Sequence, residues 1–375
     1  MLPEAAVRDE NEYVLRQLQP RDVEGYLELY ETIWGTRHTP EWFQWRFQEN
    51  PYVDHVPVFV ATTDGDVVAT RPFFVLPMSI GGTETLALLT VDTMVHPDHR
   101  RQGLFTALTE ASIQWYARRE PTFVFNQPTT AARPGFLNLG WHELTPSVNF
   151  HRIQRPGALM AKHVESDQRV PWHLPPVVRS LATAVRDLSD VLRDGDASAV
   201  RERPDVHPEV LSSLYHRRKP DAIHAVRDEA YYRWRFASPE WTRRTYLADA
   251  GPETVGALVR TRTTHEDITV TQVADIVPLT GGEDWETAVS SLLNRAIVDH
   301  RDSDLLSIPE GVVPPAILLR LGFLPDNRLP LSLFSGNDSV LCVRPLTEDG
   351  QWQLDQECVR DPDGWLLGYG EQDTV

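Results

Sequence analysis

Apolar and polar residues alternate along the chain in a rhythm that predicts a fixed order of strands and helices. Strands are predicted where apolar residues alternate with polar ones or run together, at 13–18, 56–63, 67–78, 85–95 and 122–127. Helices are predicted where apolar residues recur every three or four positions, at 23–34 and 103–118, with a short helix ending near Leu139. Asp22 is the expected N-cap of the first helix, and Asp64-Gly65 predicts a hairpin turn.

The same order of elements recurs in the second part of the chain. Three landmarks repeat, namely Trp45-Arg46-Phe47 at Trp234-Arg235-Phe236, Asp92 at Asp275, and Leu139-Gly140-Trp141 at Leu321-Gly322-Phe323. Their offsets are nearly constant, at 189 (234 − 45), 183 (275 − 92) and 182 (321 − 139). Further strands are predicted at 243–250, 254–262, 268–277 and 304–309, and further helices at 284–300 and 314–321. Ordered matches of this kind indicate a duplicated domain.

The repeat predicts two domains joined by a connector. The length agrees, because 375 residues exceed the roughly 100–200 of a single domain. We predict a first domain at 1–155, a helical connector at 156–228 and a second domain with a C-terminal tail at 229–375. The connector contains two helix-like runs, at 176–194 and 208–218, and the end of the tail is expected to form a short hairpin.

The charge balance argues against two classes of partner. The chain has 36 Lys+Arg and 54 Asp+Glu residues, which gives a net charge of −18. Such a surface argues against general binding to nucleic acid or to an anionic membrane. Only Lys162 and Lys219 are lysines, so nearly all of the positive charge is arginine. This composition favours a salt-adapted, halophilic protein, and an ordinary acidic protein from a GC-rich genome is the alternative.

Location and redox chemistry follow from other features of the composition. No apolar run approaches the roughly 20 residues of a membrane helix, and the first residues do not resemble a secretory signal. We therefore expect a cytoplasmic protein. Cys342 and Cys358 match no metal-ligand spacing, and a disulfide between them would not fit a reducing cytoplasm. No metal site is expected.

The segment HPDHRRQGLF, at 96–105, places two adjacent arginines and a glycine between a predicted strand and a predicted helix. Backbone N–H groups at a helix start, together with the helix dipole, favour an anion there. Gly103 lets the backbone approach a ligand closely, while Arg100 and Arg101 can donate charged hydrogen bonds to phosphate oxygens. The segment matches neither a Walker loop nor a dinucleotide-binding glycine loop. It is either a phosphate-binding turn or an exposed basic turn with a helix cap.

This segment and the residues before it resemble the motif of the GNAT acetyltransferase family. The family pattern begins with V-x-P-x-x-R and continues, from that arginine, as R-x-x-G-x-G/A. Val95, Pro97, Arg100 and Gly103 match it, whereas Phe105 replaces the small last residue. The resemblance implies a fold of α/β class whose sheet is mixed, as in α+β proteins.

The resemblance covers 13–150 well and 229–345 weakly, so the chain looks like a tandem of two GNAT-like domains. Each would have a mixed, mostly antiparallel sheet flanked by helices. The first domain would bind acetyl-CoA as co-substrate, with the pyrophosphate at the motif and the pantetheine along a strand that splays from 122–127. A bulge near Asp92–Thr93 is a plausible cause of the splay. The implied cofactor contacts are Thr93, Met94, Val95, Arg100, Arg101, Gln102, Gly103, Leu104, Phe105 and Asn126.

The second copy has lost the basic motif. LTGGEDWE, at 279–286, stands in its place, and Glu283 and Asp284 would repel a pyrophosphate. We expect this degenerate domain to complete the acceptor pocket or to hold the first domain in shape.

Direct acetyl transfer to an amine needs a proton acceptor and a polarised thioester carbonyl. Asp92 is the candidate catalytic base, although the matching Asp275 of the second copy favours a structural role for both. The terminal carboxylate of Val375 is a further candidate. Many family members have a tyrosine as general acid at the place of Phe136, which cannot donate a proton.

The repeated tryptophans, Trp45 and Trp234, are expected to fasten the first helices onto the sheets, with the lining of an acceptor cleft as the alternative. The predicted function is transfer of acetyl from acetyl-CoA to a primary amine of a small molecule or peptide, without nucleic-acid or membrane partners. A non-catalytic binding protein of the same fold and an aminoacyl transferase of the FemABX type are the alternatives. The sequence does not predict the oligomeric state.

Overall fold

The computed structural model describes residues 5–7, 13–155, 200–264, 267–329, 331–333, 339–346, 352–354 and 357–373. The predicted helix at 176–194 and the terminal Val375 lie outside these residues.

Most of the strands occur where the apolar pattern predicts them. The strands, in chain order, are β1 (Ala5–Val7), β2 (Tyr13–Gln17), β3 (Val58–Thr63), β4 (Asp66–Ile80), β5 (Thr83–Thr90), β6 (Met94–Val95), β7 (Pro121–Asn126), β8 (His142–Pro146), β9 (Asn149–Ile153), β10 (Arg201–Pro204), β11 (His224–Ala225), β12 (Thr242–Ala250), β13 (Glu253–Thr263), β14 (Thr269–Val277), β15 (Leu305–Pro309), β16 (Leu324–Pro325), β17 (Val340–Pro345), β18 (Gln353–Leu354) and β19 (Glu357–Cys358). The predicted single strand at 85–95 is instead divided into β5 and β6.

The predicted helices that fall on described residues begin and end close to their expected positions, and the structure adds two short ones, at Pro40–Phe43 and Glu229–Arg235. The helices are α1 (Val23–Trp34), α2 (Pro40–Phe43), α3 (Leu104–Tyr116), α4 (Arg133–Asn138), α5 (Pro208–Arg217), α6 (Glu229–Arg235), α7 (Glu283–Asp299) and α8 (Pro315–Arg320). A π-helical turn, Gln44–Gln48, follows α2 directly. The cap expected at Asp22 is wrong, because its carboxylate pairs with Arg16 and accepts from the N–H of Gln19 instead of capping α1.

The described residues contain two large mixed sheets, mostly antiparallel and flanked by helices, and the short antiparallel hairpin of β18 and β19 that was expected in the tail. The first has ten strands, in the order β1-β2-β3-β4-β5-β7-β17-β8, with β6 and β11 also paired to β4. The second has seven, in the order β10-β12-β13-β14-β15-β9-β16. Each contains one parallel pair, β5 with β7 and β14 with β15. The predicted fold class is therefore confirmed.

The two sheets exchange a strand. Although β9 follows directly after β8 in the chain, it pairs with β15 and β16 of the second sheet. In return, β17 comes from the end of the chain and lies between β7 and β8 of the first sheet. The division between the sheets therefore does not follow the domain boundaries expected at 155 and 229, and those boundaries stay a prediction.

Three apolar clusters pack these layers. One packs α3 and α4 on the outer face of the first sheet, and another packs α7 and α8 on the outer face of the second. The third lies between the sheets and takes side chains from both halves, including Phe74 of β4 and Leu258 of β13. Among the described residues, no helix is both long enough and apolar enough to span a membrane.

The repeated tryptophans meet in this central layer. The indole N–H of Trp45 donates to the carbonyl of Trp234 at 2.7 Å, and the indole N–H of Trp234 donates to the carbonyl of Trp45 at 2.9 Å. Both side chains are buried. The expectation that each fastens a helix to its own sheet therefore needs correction, because the two segments join the halves to each other.

Candidate active site

A break in the first sheet opens the site. The parallel pairing of β5 with β7 ends at Leu89 and Phe125, and the backbone turns at Asp92, whose φ is +38°. The chain then rejoins β4 on the same side as β5 but with the register shifted by one residue, so that Thr90 pairs with Phe73 and Met94 pairs with Thr70. The expected irregularity near Asp92–Thr93 is thus present, and it parts β6 from β7.

The pairing of β6 determines where its backbone groups point. The N–H of His96 donates to the carbonyl of Val68 at 2.9 Å, which makes Met94 and Thr70 the hydrogen-bonded pair of this ladder. Because neighbouring residues of a strand point their polar groups in opposite directions, those of Thr93 and Val95 face away from β4. They therefore face the gap, and the carbonyl of Val95 there accepts from Nε of Arg100.

A cavity of about 690 Å³ occupies this gap. Its lining combines both halves of the chain and the tail, and comprises Tyr30, Ile33, Trp34, Thr36, His38, Thr90, Val91, Asp92, Thr93, Val95, Phe105, Asn126, Gln127, Pro128, Thr129, Ala132, Phe136, Glu240, Arg262 and Asp373. The volume lies within the range of small-molecule sites, about 300–1,000 Å³.

The basic turn leads directly into α3. Arg101 and Gly103 have positive φ values of +63° and +78°, and α3 begins at Leu104 with the N–H groups of its first turn directed outward. Arg100 is exposed and its Nε donates to the carbonyl of Val95 at 3.2 Å, which ties the turn to β6. Two predicted features, an open helix start and a splayed strand, are therefore adjacent.

The predicted cofactor residues fall into three groups. Thr93, Val95, Phe105 and Asn126 line the cavity, together with Asp92. Arg100, Arg101, Gln102 and Gly103 form the exposed turn, where Gln102 accepts a hydrogen bond from the Tyr13 hydroxyl. Met94 and Leu104 have buried side chains in the apolar clusters. The structure thus brings most, but not all, of the predicted contacts to one place.

Asp92 lies in a buried ionic cluster at the edge of the cavity. Its carboxylate is 2.6 Å from Nη2 of Arg46, which also contacts Asp373 of the tail at 2.7 Å. The other carboxylate oxygen of Asp373 accepts from the backbone N–H of Asp92 at 3.1 Å. Burial raises the pKa of Asp92 to about 7; the Arg46 charge opposes this shift and the Asp373 charge adds to it.

The far end of the cavity is aromatic and acidic. The rings of Tyr30 and Trp34 lie 4.3 Å apart, and 45% of Trp34 is exposed. Glu240, from the second half of the chain, accepts from Nδ1 of His38 at 2.9 Å, and this hydrogen bond lowers the pKa of the glutamate. Arg262 lies 3.6 Å from the same carboxylate.

The matching region of the second half is filled by protein. The hydroxyl of the buried Tyr369 is hydrogen-bonded to Ser307 of β15, and Gly368 lies against Ala274 of β14. Asp275 accepts from the Tyr232 hydroxyl at 2.8 Å and lies 3.4 Å from Nε of Arg227.

In the second half, side chains also cover the segment 279–286, which stands in the place of the basic motif. Trp285, in the first turn of α7, packs against Gly281 and donates its indole N–H to the carbonyl of Pro278 at 2.8 Å. Glu283 and Asp284 are in the same turn, so the start of this helix is acidic.

Sequence reasoning missed three contributors to the site. Arg46 is the middle residue of the repeated triplet Trp-Arg-Phe. Its recurrence as Arg235 in the second copy is the sequence signal that could have identified it. Asp373 and Glu240 come from distant parts of the chain, and no local pattern connects them to Asp92.

Comparisons with known proteins agree with this geometry. Residues 14–143 match the family model described as an acetyltransferase (GNAT) domain. A GCN5-related N-acetyltransferase from Anabaena variabilis has a similar structure, with a TM-score of 0.57, 12% identity, 89% of this chain covered and 73% of that one. An N-myristoyltransferase from Saccharomyces cerevisiae has a TM-score of 0.58 and 10% identity, with 98% and 89% covered. A probable N-acyltransferase from Enterococcus faecalis gives 0.56 and 10%, with 89% and 72% covered. No curated protein matches the sequence.

Proposed function

We propose, from the GNAT acetyltransferase domain that this chain contains at residues 14–143, that the protein transfers an acetyl group from acetyl-CoA to an amine. The observation that carries the proposal is the gap between β6 and β7. The gap lies beside the exposed start of α3. It leads into one cavity, which the buried carboxylate of Asp92 also lines.

Coenzyme A would bind along this gap. The carbonyl of Thr93 and the N–H of Val95 would pair with the amides of the pantetheine arm, as a neighbouring strand would. The pyrophosphate would lie at the start of α3, where Arg100 and Arg101 can reach it and the helix dipole favours negative charge. We do not include the Met94 backbone in this set, because it pairs with Thr70.

The reaction would proceed directly from thioester to amine. The amine nitrogen attacks the thioester carbon, whose carbonyl oxygen would be polarised by the backbone N–H of Thr93. The acceptor first loses its ammonium proton to solvent, because only the neutral amine is nucleophilic. The N–C bond then forms, the C–S bond breaks with its electron pair on sulfur, and a proton of the attacking nitrogen passes to the carboxylate of Asp92. A carboxylate with a pKa raised to about 7 suits this role, because a base works best when its pKa is close to the working pH.

The acceptor is proposed to be a cationic amine. Three carboxylates, from Asp92, Asp373 and Glu240, line the cavity with the exposed ring of Trp34, while Arg262 is the one arginine in the described lining. Carboxylates and aromatic faces both attract ammonium groups. A small basic molecule or a peptide amine would fit this end.

Calorimetric titration of acetyl-CoA at high KCl tests the proposal. We expect binding at one site, and loss of that binding in Gly103→Glu, where φ of +78° disfavours any side chain and the new charge repels phosphate. The matched control is Arg118→Ala, since Arg118 is exposed just beyond the far end of α3, about 20 Å away. Absence of binding to the folded wild type would overturn the proposal.

The second half is proposed to be a degenerate GNAT-like domain that does not bind coenzyme A. The acidic first turn of α7 and the packing of Trp285 on Gly281 support this view. A non-catalytic binding protein remains the second candidate, favoured by the phenyl ring of Phe136 where family members carry a tyrosine. Release of the CoA thiol in the presence of a panel of amines separates the two, because a binding protein would take up acetyl-CoA without turnover.

A further inference from the structure

Arg71 is a fully buried cation in the centre of the first sheet. It lies on β4, its exposure is 0%, and its guanidinium is surrounded by the rings of Phe73, Phe105, Phe136 and Trp141 at 4.8–6.0 Å. Its one hydrogen bond runs from Nη1 to the hydroxyl of Thr93, at 2.8 Å. Nε and Nη2 have no partner in the described part of the chain.

Four other buried arginines in the described residues are compensated, and a fifth, Arg260, donates from Nε to the amide oxygen of Gln272 at 2.9 Å. Arg46 and Arg227 each face two carboxylates. Arg152 and Arg235 donate to amide or backbone carbonyl oxygens through two nitrogens each. Arg71 has neither arrangement, and burial alone lowers its pKa to about 9. An uncompensated buried charge is costly to folding, so its retention points to a function.

The position of Arg71 indicates what that function is. Three of the residues around it, Thr93, Phe105 and Phe136, also line the cavity. Thr93 lies on the splayed segment and Phe136 lies on α4. The guanidinium therefore lies directly behind the wall that Thr93, Phe105 and Phe136 form, between the strand proposed to hold the pantetheine and the place of the family's missing acid.

We propose that Arg71 stabilises the thiolate of coenzyme A as it leaves, in place of a proton donor at Phe136. This inference rests on the proposed acyl transfer. When the C–S bond breaks, the electron pair stays on sulfur, and a fixed positive charge behind the cavity wall lowers the energy of the thiolate through the low-dielectric interior. The amine proton goes to Asp92, and the thiolate takes up a proton from water only after it has left the site.

Few other charges face this guanidinium. Burial lowers the pKa of Arg71. Arg344, on β17, shares the ring of Trp141 at 5.6 Å and adds a second positive charge on this side of the sheet. Asp92, adjacent in sequence to Thr93, pairs with Arg46, which it shares with Asp373. The local potential therefore favours an anion.

The ionisation of bound coenzyme A tests the proposal without requiring turnover. The ultraviolet absorbance of the thiolate is followed while CoA is titrated with base in the presence of excess protein. We expect the thiol of bound CoA to ionise at least about tenfold more readily than that of free CoA, a shift of one pKa unit. In Arg71→Met and Arg71→Gln this shift should disappear, and the Gln variant shows whether a neutral donor can substitute for the charge.

Kinetics and stability supply a second readout. Arg71→Met should lower kcat about 100-fold with little change in KM, while its melting temperature stays level or rises, because an uncompensated charge has been removed. Adding Phe136→Tyr to Arg71→Met restores a proton donor at the family position and should recover part of kcat. A purely structural arginine would instead show a lower melting temperature and no rescue.

The outcomes separate this inference from the proposed function. If CoA binds and acetyl is transferred, but the thiol of bound CoA ionises like free CoA and Arg71→Met leaves kcat unchanged, the thiolate role is wrong and the acetyltransferase proposal stands. If CoA does not bind to the folded protein at all, both proposals are wrong.

Discussion

The two halves of the molecule arrange the same strands around different interiors. In the first half, β5 and β7 part after Leu89 and the space between them is a cavity that Asp92 borders. In the second half, β14 and β15 pair only from Val270 to Gln272, and the tail inserts Tyr369 beside them. The aspartate recurs in both halves, but the cavity does not.

The tail explains much of this difference. Within six residues it places Tyr369 against β15 of the second sheet and Asp373 against Asp92 of the first. Its one segment therefore fills one gap and completes the charge cluster of the other. A repeated residue indicates a shared fold, while the occupant of each gap decides what chemistry is possible there.

The largest expected contrast comes from replacing the two aspartates in turn. Asp92→Asn should lower acetyl transfer by about 10²–10⁴-fold with the fold retained, because the proton acceptor is lost. Asp275→Asn should leave Arg227 less well paired and cost about 3 kcal/mol of unfolding free energy. Steady-state kinetics and denaturant unfolding of both variants make the comparison. Equal losses of activity would mean that both aspartates are structural.

Opening the gap of the second half should affect stability more than chemistry. Tyr369→Ala removes a buried aromatic side chain and should cost about 3–5 kcal/mol of unfolding free energy. Tyr369→Phe keeps the ring, loses the hydrogen bond to Ser307, and should cost about 1 kcal/mol. Thermal unfolding measures both. A tail that merely lies on the surface would leave the two variants indistinguishable from wild type.

The basic turn should distinguish the halves through cofactor affinity. Arg100→Ala should weaken acetyl-CoA about tenfold, and the effect should persist in molar salt, where the Debye length is about 3 Å and only close contacts survive. Titration calorimetry at low and high KCl measures it, with Arg118→Ala as the control. Equal affinity of the Arg100 variant and wild type would contradict the phosphate site.

The smallest expected effect is a displacement of the pH profile. Asp373 helps to raise the pKa of Asp92, so Asp373→Asn should lower it. Since the base acts in its ionised form, activity in wild type should fall as the pH drops below about 7, and in the variant this fall should occur at lower pH. The dependence of kcat/KM on pH checks the direction. A move toward higher pH would show that Asp373 does not act on Asp92 through its charge.

Local patterns predicted much of the fold. The helical spacing from Val23 to Trp34 and the open turn before α3 are both in the structure, because amphipathic helices and glycine turns are encoded by neighbouring residues. The GNAT domain and the mixed-sheet fold class are confirmed.

Long-range pairings were beyond the reach of the same patterns. Residues 149–153 and 340–345 both read as strands only after their partners in the opposite sheets are known. The carboxylate of Asp373 reaches Asp92 across 281 positions of sequence, and a tail position gives no sign of such a contact. Apolar alternation specifies that a strand has a buried face, but it does not specify which sheet that strand joins.

The exchange of strands also sets an order of assembly during synthesis. The first sheet needs β17, at Val340–Pro345, to connect β8 to β7, and β7 carries Asn126 at the mouth of the cavity. A chain emerging from the ribosome releases these residues 194 positions after the end of β8 (340 − 146), and after the remaining strands of that sheet. The half that begins first is therefore completed last, and an interrupted chain would leave the ribosome without a finished site.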